Sequence, residues 1–205
     1  MTSRRSELLS IAMRLFAEQG VANTSVRQIA EEAGILSGSL YHHFDSKEQM
    51  VAEAVGTGMA HRMAMSRSVI DESANSAVAL YELITRFVHW VGQEPDAAKI
   101  LSVDKAYIRD TPALADTEAA RQRGRLTWID LVERGVDEGV FRQGIDADIV
   151  VRSIFDGMYG SVRWMYGDDA APDTVAHQLA AFYVRGLLAD GYEFDGDRLE
   201  LVGPS

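Results

Sequence analysis

With 205 residues, 47% of them hydrophobic and no cysteine, the chain can fill one compact unit or a small domain joined to a larger one, and it excludes disulfides, thiolate metal sites and cysteine nucleophiles. A formal net charge of −11 argues against a phosphate-binding surface spread over the whole molecule, because affinity for phosphate comes from Lys and Arg. The opening residues MTSRRSELLS lack the apolar core of a signal peptide, and no apolar run approaches the roughly 20 residues that span a bilayer, so a cytoplasmic protein in a reducing compartment is expected.

The charge is unevenly placed. Residues 1–50 hold five basic side chains (Arg4, Arg5, Arg14, Arg27, Lys47) against six acidic ones (Glu7, Glu18, Glu31, Glu32, Asp45, Glu48), so most of the excess acid lies beyond this segment. Here Leu8, Ile11, Ala12, Leu15 and Phe16 recur at helical spacing from Ser6 to Gln19, and Gly20 stops the pattern. Thr24 or Ser25 caps a short second helix with Val26, Ile29 and Ala30 inside, ending at Gly34. Little chain remains for a third helix before Ser46, where SKEQ supplies the serine and the glutamine of a capping box and opens a long helix to about residue 69.

Further helices are predicted at about 75–92, 96–109, 112–138, 147–166 and 173–189, with breaks at Pro95, Pro112, Gly139, Gly144, the GDDAAP stretch and Gly191. No clear period-2 strand appears, so the fold class is all-α. The acidic tail, 191–205, is expected to be loosely ordered. The organisation that follows is a three-helix head over 1–46, a helical body over 47–190 and the tail.

Three short helices in about 45 residues, the last two joined through a glycine turn, form a helix-turn-helix pattern. Leu40 and Phe44 pack toward Ile29 and Phe16, which leaves Ser37, Gly38, Ser39, Tyr41 and His42 on the other face. Small residues there let the helix backbone approach a groove wall, and a glycine in so short a helix, at a cost of about 1 kcal/mol relative to alanine, asks for a reason. His42 and His43, adjacent on a helix, are splayed by about 100° and make a poor metal pair. GTGMAH follows a helix rather than a strand and lacks the third glycine of a dinucleotide fingerprint. No GxSxG element and no acid–base carboxylate pair is evident, so no enzyme activity and no cofactor are expected.

The stretch TSVRQIAEEAGILSGSLYHHFDSKEQM resembles the DNA-binding segment of TetR-family transcriptional regulators almost position by position. The resemblance implies a homodimeric repressor whose two recognition helices enter successive major grooves of a pseudo-palindromic operator. It implies phosphate contacts from Thr24, Ser25 and Lys47, groove and backbone contacts from Arg27, Ser37, Gly38, Ser39, Tyr41 and His42, and backbone or minor-groove contacts from Arg4 and Arg5.

In the body, Arg152, Asp156, Tyr159 and Arg163 fall on one helical stripe of DADIVVRSIFDGMYGSVRWMYG, which is either a solvated ion-pair line or the wall of a ligand cavity with Trp164 as a stacking surface. Arg121, Arg125 and Trp128 run at i, i+4 and i+7, and His89 sits beside Trp90; basic groups next to aromatics suit an anionic ligand with an apolar body, whereas surface solvation is the bland alternative for the Arg pair. The family's habit of dimerising through its last helices makes Val162, Met165, Leu179, Phe182, Tyr183 and Gly186 the interface candidates. A narrower likeness, carried by SRRSELL, GILSGSLYHHFDSKEQMV and SVRWMYG, is to the TetR-type repressors of bacterial sterol-degradation genes that respond to CoA thioesters of ring-cleavage fragments. It implies an acyl-CoA effector near Arg163 and Trp164. The partners expected are thus operator DNA, a small-molecule effector and a second copy of the chain, and no membrane.

Overall fold

The computed structural model describes residues 3–167 and 170–203. Its helices are α1 (Arg4–Gln19), α2 (Val26–Glu32), α3 (Ser37–Leu40), α4 (Lys47–Glu72), α5 (Ser76–Gln93), α6 (Pro95–Val103), α7 (Lys105–Asp110), α8 (Ala115–Asp137), α9 (Ala147–Gly160), α10 (Val162–Gly167) and α11 (Pro172–Leu187). A 3-10 turn at Pro112–Leu114 leads into α8, and the short strands β1 (Glu193–Asp195) and β2 (Glu200–Val202) close the chain. None of the described helices is long and apolar enough to cross a membrane.

Compactness divides the chain in two, one unit comprising Met1–His61 with Glu94–Gln122 and the other Arg62–Gln93 with Arg123–Ser205. The cuts fall inside α4, between α5 and α6, and inside α8, so the first unit holds α1 to α3 with α6, α7 and the start of α8. In the first unit, Ser3 caps α1 by accepting from the Ser6 N–H, and Gly20, with φ of 85°, ends it. Ser25 resolves the second cap: its side chain accepts from Gln28 N–H while Gln28 accepts from the Ser25 N–H, a complete capping box. Gly34, at φ of 66°, makes the turn between α2 and α3 that a side chain would strain. Leu8, Phe16, Ile29, Leu40, Phe44 and Met50 are almost fully buried, with Ile100 and Leu101 from α6.

In the second unit α5 is the central helix. It contributes Leu80, Leu83, Ile84, Val88 and Val91 to the core and packs along α11 and against α9. Gly157 permits the close approach of α9 to α11, since a Cβ there would come within 2.5 Å of the Tyr183 hydroxyl.

Two expectations are corrected. The helix expected over 96–109 breaks at Asp104, whose backbone (φ −89°, ψ 22°) leaves helical geometry and whose carboxylate accepts from the Val21 N–H at 3.1 Å. The helix expected over 147–166 breaks at the fully buried Ser161, whose hydroxyl donates back to the Met158 carbonyl at 2.6 Å. Within the tail, β1 and β2 pair antiparallel with Phe194 opposite Leu201, and Phe194 is buried on the Tyr81 ring at 5.1 Å. The break expected in GDDAAP includes Asp168 and Asp169, which lie outside the described residues.

Candidate DNA-binding face and ligand site

The third helix is held from behind by Leu40 and Phe44, both buried, while Gly38, Tyr41 and His42 are exposed and Ser37 and Ser39 are half-exposed. A Cβ built on Gly38 meets nothing within 4 Å, so nothing in the chain's own packing requires glycine at that position. Arg27, whose side chain is 81% exposed, leans on Glu31 at 2.7 Å from the outer face of α2. Ser25 lies at the N-terminus of α2, where backbone N–H groups and the helix dipole favour an anion.

Several residues expected on the DNA also hold partners within the chain. Thr24 is 2% exposed and its hydroxyl donates to the Leu15 and Gly20 carbonyls, so it closes the α1–α2 turn. Arg5 forms a bidentate pair with Glu53 at 2.6 and 2.5 Å, donates to the His43 carbonyl and stacks 4.4 Å from the Phe44 ring. Arg4 pairs with Glu7 and donates to the Ala33 carbonyl. Lys47 donates to the Val21 and Thr24 carbonyls at 2.8 and 3.1 Å, which leaves at most one of its three N–H groups for a phosphate. These four act first as fasteners of the head. Spacing alone hides the distant partners, Ala33 for Arg4, His43 and Glu53 for Arg5, and Val21 and Thr24 for Lys47, whereas Glu7 and Gly20 lie within four residues of Arg4 and Thr24.

A clip from α7 completes the arrangement. Tyr107 lies under the Lys47 ammonium at 5.2 Å and donates to Glu48 at 2.8 Å; burial first, then that bond to a carboxylate, push its phenol up to about 12. It therefore remains a neutral donor at physiological pH. Asp104 is raised above the ordinary carboxylate value by burial, opposed by the Val21 N–H and by Lys47.

In the second unit an aromatic cluster forms around Phe87, with ring centroids at 5.3 Å to Tyr159, 5.4 Å to Trp90, 5.5 Å to Phe155 and 6.1 Å to Trp128. Of the expected effector residues, the fold thus brings Trp90, Trp128 and Tyr159 together, Trp128 being 3% exposed. The charged candidates go elsewhere. Arg152 turns back to Asp148 at 2.7 Å, and Arg125 also pairs with Asp148, so one carboxylate is shared between two guanidiniums. His89 meets Asp173 at 2.8 Å. Arg121 makes a bidentate pair with Glu118 and belongs to the first unit, whereas Arg125 and Trp128 belong to the second. The break at Ser161 takes Arg163 and Trp164 out of the α9 stripe, and both are exposed.

Sequence reading missed Arg62. It is 7% exposed, its guanidinium carbon lies 3.5 Å from the Trp90 ring centroid and 5.6 Å from that of Phe87, and its Nη1 is buried without a hydrogen-bond partner. Burial pushes its pKa down, partly offset by the Tyr159 phenol. A signal was present: Val55, Met59, Arg62, Ser66 and Val69, all buried, follow 4-3-4-3 spacing, so Arg62 occupies a core position of α4.

Among the interface candidates, Met165 is buried and its sulfur lies against Gly92. Tyr183 donates to the Ser153 carbonyl at 2.8 Å, tying α11 to α9. Val162 and Leu179 are half-buried, and Phe182 and Gly186 are exposed.

A capped helix-turn-helix with a bare recognition face, continued by a helical body with an aromatic interior, defines the helix-turn-helix transcriptional regulators. Residues 8–54 match the model of the bacterial regulatory proteins of the tetR family, and residues 74–187 match the tetracyclin repressor-like C-terminal domain. The chain belongs to the TetR family. It is 35% identical over 192 residues to the HTH-type transcriptional repressor KstR2 of Mycobacterium tuberculosis (strain ATCC 25618 / H37Rv), covering 93% of this chain and 96% of that protein. It is 35% identical over 187 residues to KstR2 of Rhodococcus jostii (strain RHA1), covering 91% and 92%. The solved structure of the ketosteroid transcriptional regulator KstR2 of Mycobacterium tuberculosis superposes with a TM-score of 0.81 at 35% identity, over 93% of this chain and 97% of that one.

Proposed function

We propose that the chain is a dimeric repressor that binds a pseudo-palindromic operator through Ser25, Arg27 and the α3 face of Ser37, Gly38, Ser39, Tyr41 and His42, and that a small-molecule effector, an acyl-CoA thioester, releases it. The observation that carries the DNA-binding half is the open space in front of Gly38, in a short helix anchored from behind by the buried Leu40. The effector class rests on the resemblance of SRRSELL, GILSGSLYHHFDSKEQMV and SVRWMYG to repressors that respond to CoA thioesters, and likeness to KstR2 along nearly the whole chain supports the repressor. The mechanism is a population shift. An effector that binds two arrangements of the dimer unequally moves the recognition helices away from a groove-matched separation of about 34–36 Å or its multiples, and weakens DNA binding only by as much as it discriminates between them. Helix α4, which begins in the head's compact unit and ends in the body's, is the element through which we expect that coupling to pass.

The test is fluorescence anisotropy on DNA from upstream of the protein's own gene, with a non-cognate control, followed by free CoA and an acyl-CoA panel that includes steroid-fragment thioesters. Specific binding, weakened by salt and released by a thioester but not by CoA, is the expected result. A helical dimer with no preference for that DNA over the control at any salt concentration counts against the operator assignment. Specific binding that no thioester releases removes the effector class and leaves the repressor.

A further inference from the structure

Arg62 is a cation the fold does not itself satisfy. An arginine remains protonated inside a protein, and an N–H removed from water without an acceptor is destabilising. The stack on Trp90 and Phe87 supports the charge through the ring faces but accepts nothing from the in-plane N–H groups. Among the described residues no carboxylate is paired with it. Arg5, Arg121, Arg125 and Arg152, by contrast, lie nearer to solvent and hold carboxylates. A buried guanidinium with a free N–H among Phe87, Trp90 and Tyr159 is what a ligand with an apolar body and an anionic oxygen would complete, because a charge-assisted hydrogen bond to that oxygen removes the unsatisfied donor.

We propose that Arg62 is the polar anchor of the effector site: its Nη1 donates to a carboxylate or other anionic oxygen of a ring-bearing apolar ligand that packs against Phe87, Trp90 and Tyr159. The proposal rests on the reading of the helical body as the effector domain. It assigns the anchoring to α4, a helix from which none of the expected effector residues came.

Two dyes that differ by one group test it: 8-anilinonaphthalene-1-sulfonate, and N-phenyl-1-naphthylamine, which is the same ring system without the sulfonate. On the full-length protein the sulfonate should bind at least about tenfold more tightly, the effect of one hydrogen bond to a charged group. Arg62→Met should abolish that preference while binding of the neutral dye stays within about twofold, and Arg62→Lys should keep part of it. The ligand-free Arg62→Met protein should melt no lower than the unsubstituted one, since an unpaired buried charge has been replaced by an apolar side chain of similar length. If the unsubstituted protein does not distinguish the dyes, or if Arg62→Met and Arg62→Gln both lose stability while the dye ratio persists, Arg62 is a structural cation and the proposal falls. The operator assay separates this from the broader reading. Thioester release that survives in an Arg62→Met protein with an unchanged dye ratio sinks the anchor alone. Loss of the dye preference in a protein that no thioester releases sinks the thioester and leaves the anchor.

Discussion

At position 38 two requirements oppose each other. A glycine in α3 gives up backbone entropy that an alanine would not, and the structure offers no internal compensation, since a Cβ there points into open space. Gly38→Ala should therefore stabilise the isolated protein by about 0.5–1 kcal/mol, read as a raised denaturation midpoint. On the operator, the added methyl group has to fit against the groove wall, where overpacking costs about 1–3 kcal/mol and each 1.4 kcal/mol is about tenfold in affinity. The expected signature is a more stable protein that binds its operator about tenfold or more weakly. A variant that gains stability and keeps its affinity would show that the backbone at Gly38 does not approach DNA. Gly34 differs: its φ of 66° belongs to the turn itself, and a side chain there is strained in any state.

Elements were legible in the sequence to the extent that their signals are local. The capping serine of α2, the turn glycine and the spacing of Leu8, Phe16, Ile29, Leu40 and Phe44 lie within a few residues of what they control, and the head follows from them. The α9–α10 break was not legible, because Ser161 ends α9 through a buried bond to Met158 and serine is no breaker by itself. The hairpin escaped for a related reason: three-residue strands have no visible alternation, and what orders them is Phe194 on Tyr81, more than a hundred residues away in the chain. That contact makes the hairpin part of the second unit's core. Phe194→Ala should lower unfolding free energy by about 3 kcal/mol in a urea titration, the usual effect of truncating a buried phenylalanine. A loss under about 0.5 kcal/mol would mean that the tail rests on the body without contributing to it. Ion pairs within one helix, such as Arg27–Glu31 and Arg152–Asp148, sit at the i,i+4 spacing that a sequence displays, whereas Arg5–Glu53 and Arg14–Glu32 depend on which helices the fold brings together.

At the scale of the molecule, a chain of net charge −11 whose head arginines are already paired has little free positive charge for one DNA contact. Operator affinity then has to come from two heads acting at once, since tethering the second head makes its binding effectively intramolecular. That places weight on the dimer. The inner face of α11 is taken up by Val175, Ala176, Ala180, Val184 and Leu187, all buried, while its outer stripe holds Leu179, Phe182, Tyr183 and Gly186. Phe182 is 72% exposed with its ring 5.5 Å from that of Tyr183, whose hydroxyl is held on α9, so Phe182 is the aromatic left on the outside of a helix that has already filled the core it needs. On the proposed dimer, that stripe is the face expected to meet the second copy. Phe182→Glu should leave the thermal stability of the monomer close to unchanged, because the side chain makes little contact within its own chain. In sedimentation velocity it should raise the dimer dissociation constant by about 30-fold or more, the effect of losing an interface residue worth about 2 kcal/mol. Operator binding should then become steeply dependent on protein concentration and recover as the protein is raised toward that constant. A Phe182→Glu protein that remains dimeric and binds its operator as before would move the interface off α11, and with it the axis about which the two recognition helices are spaced.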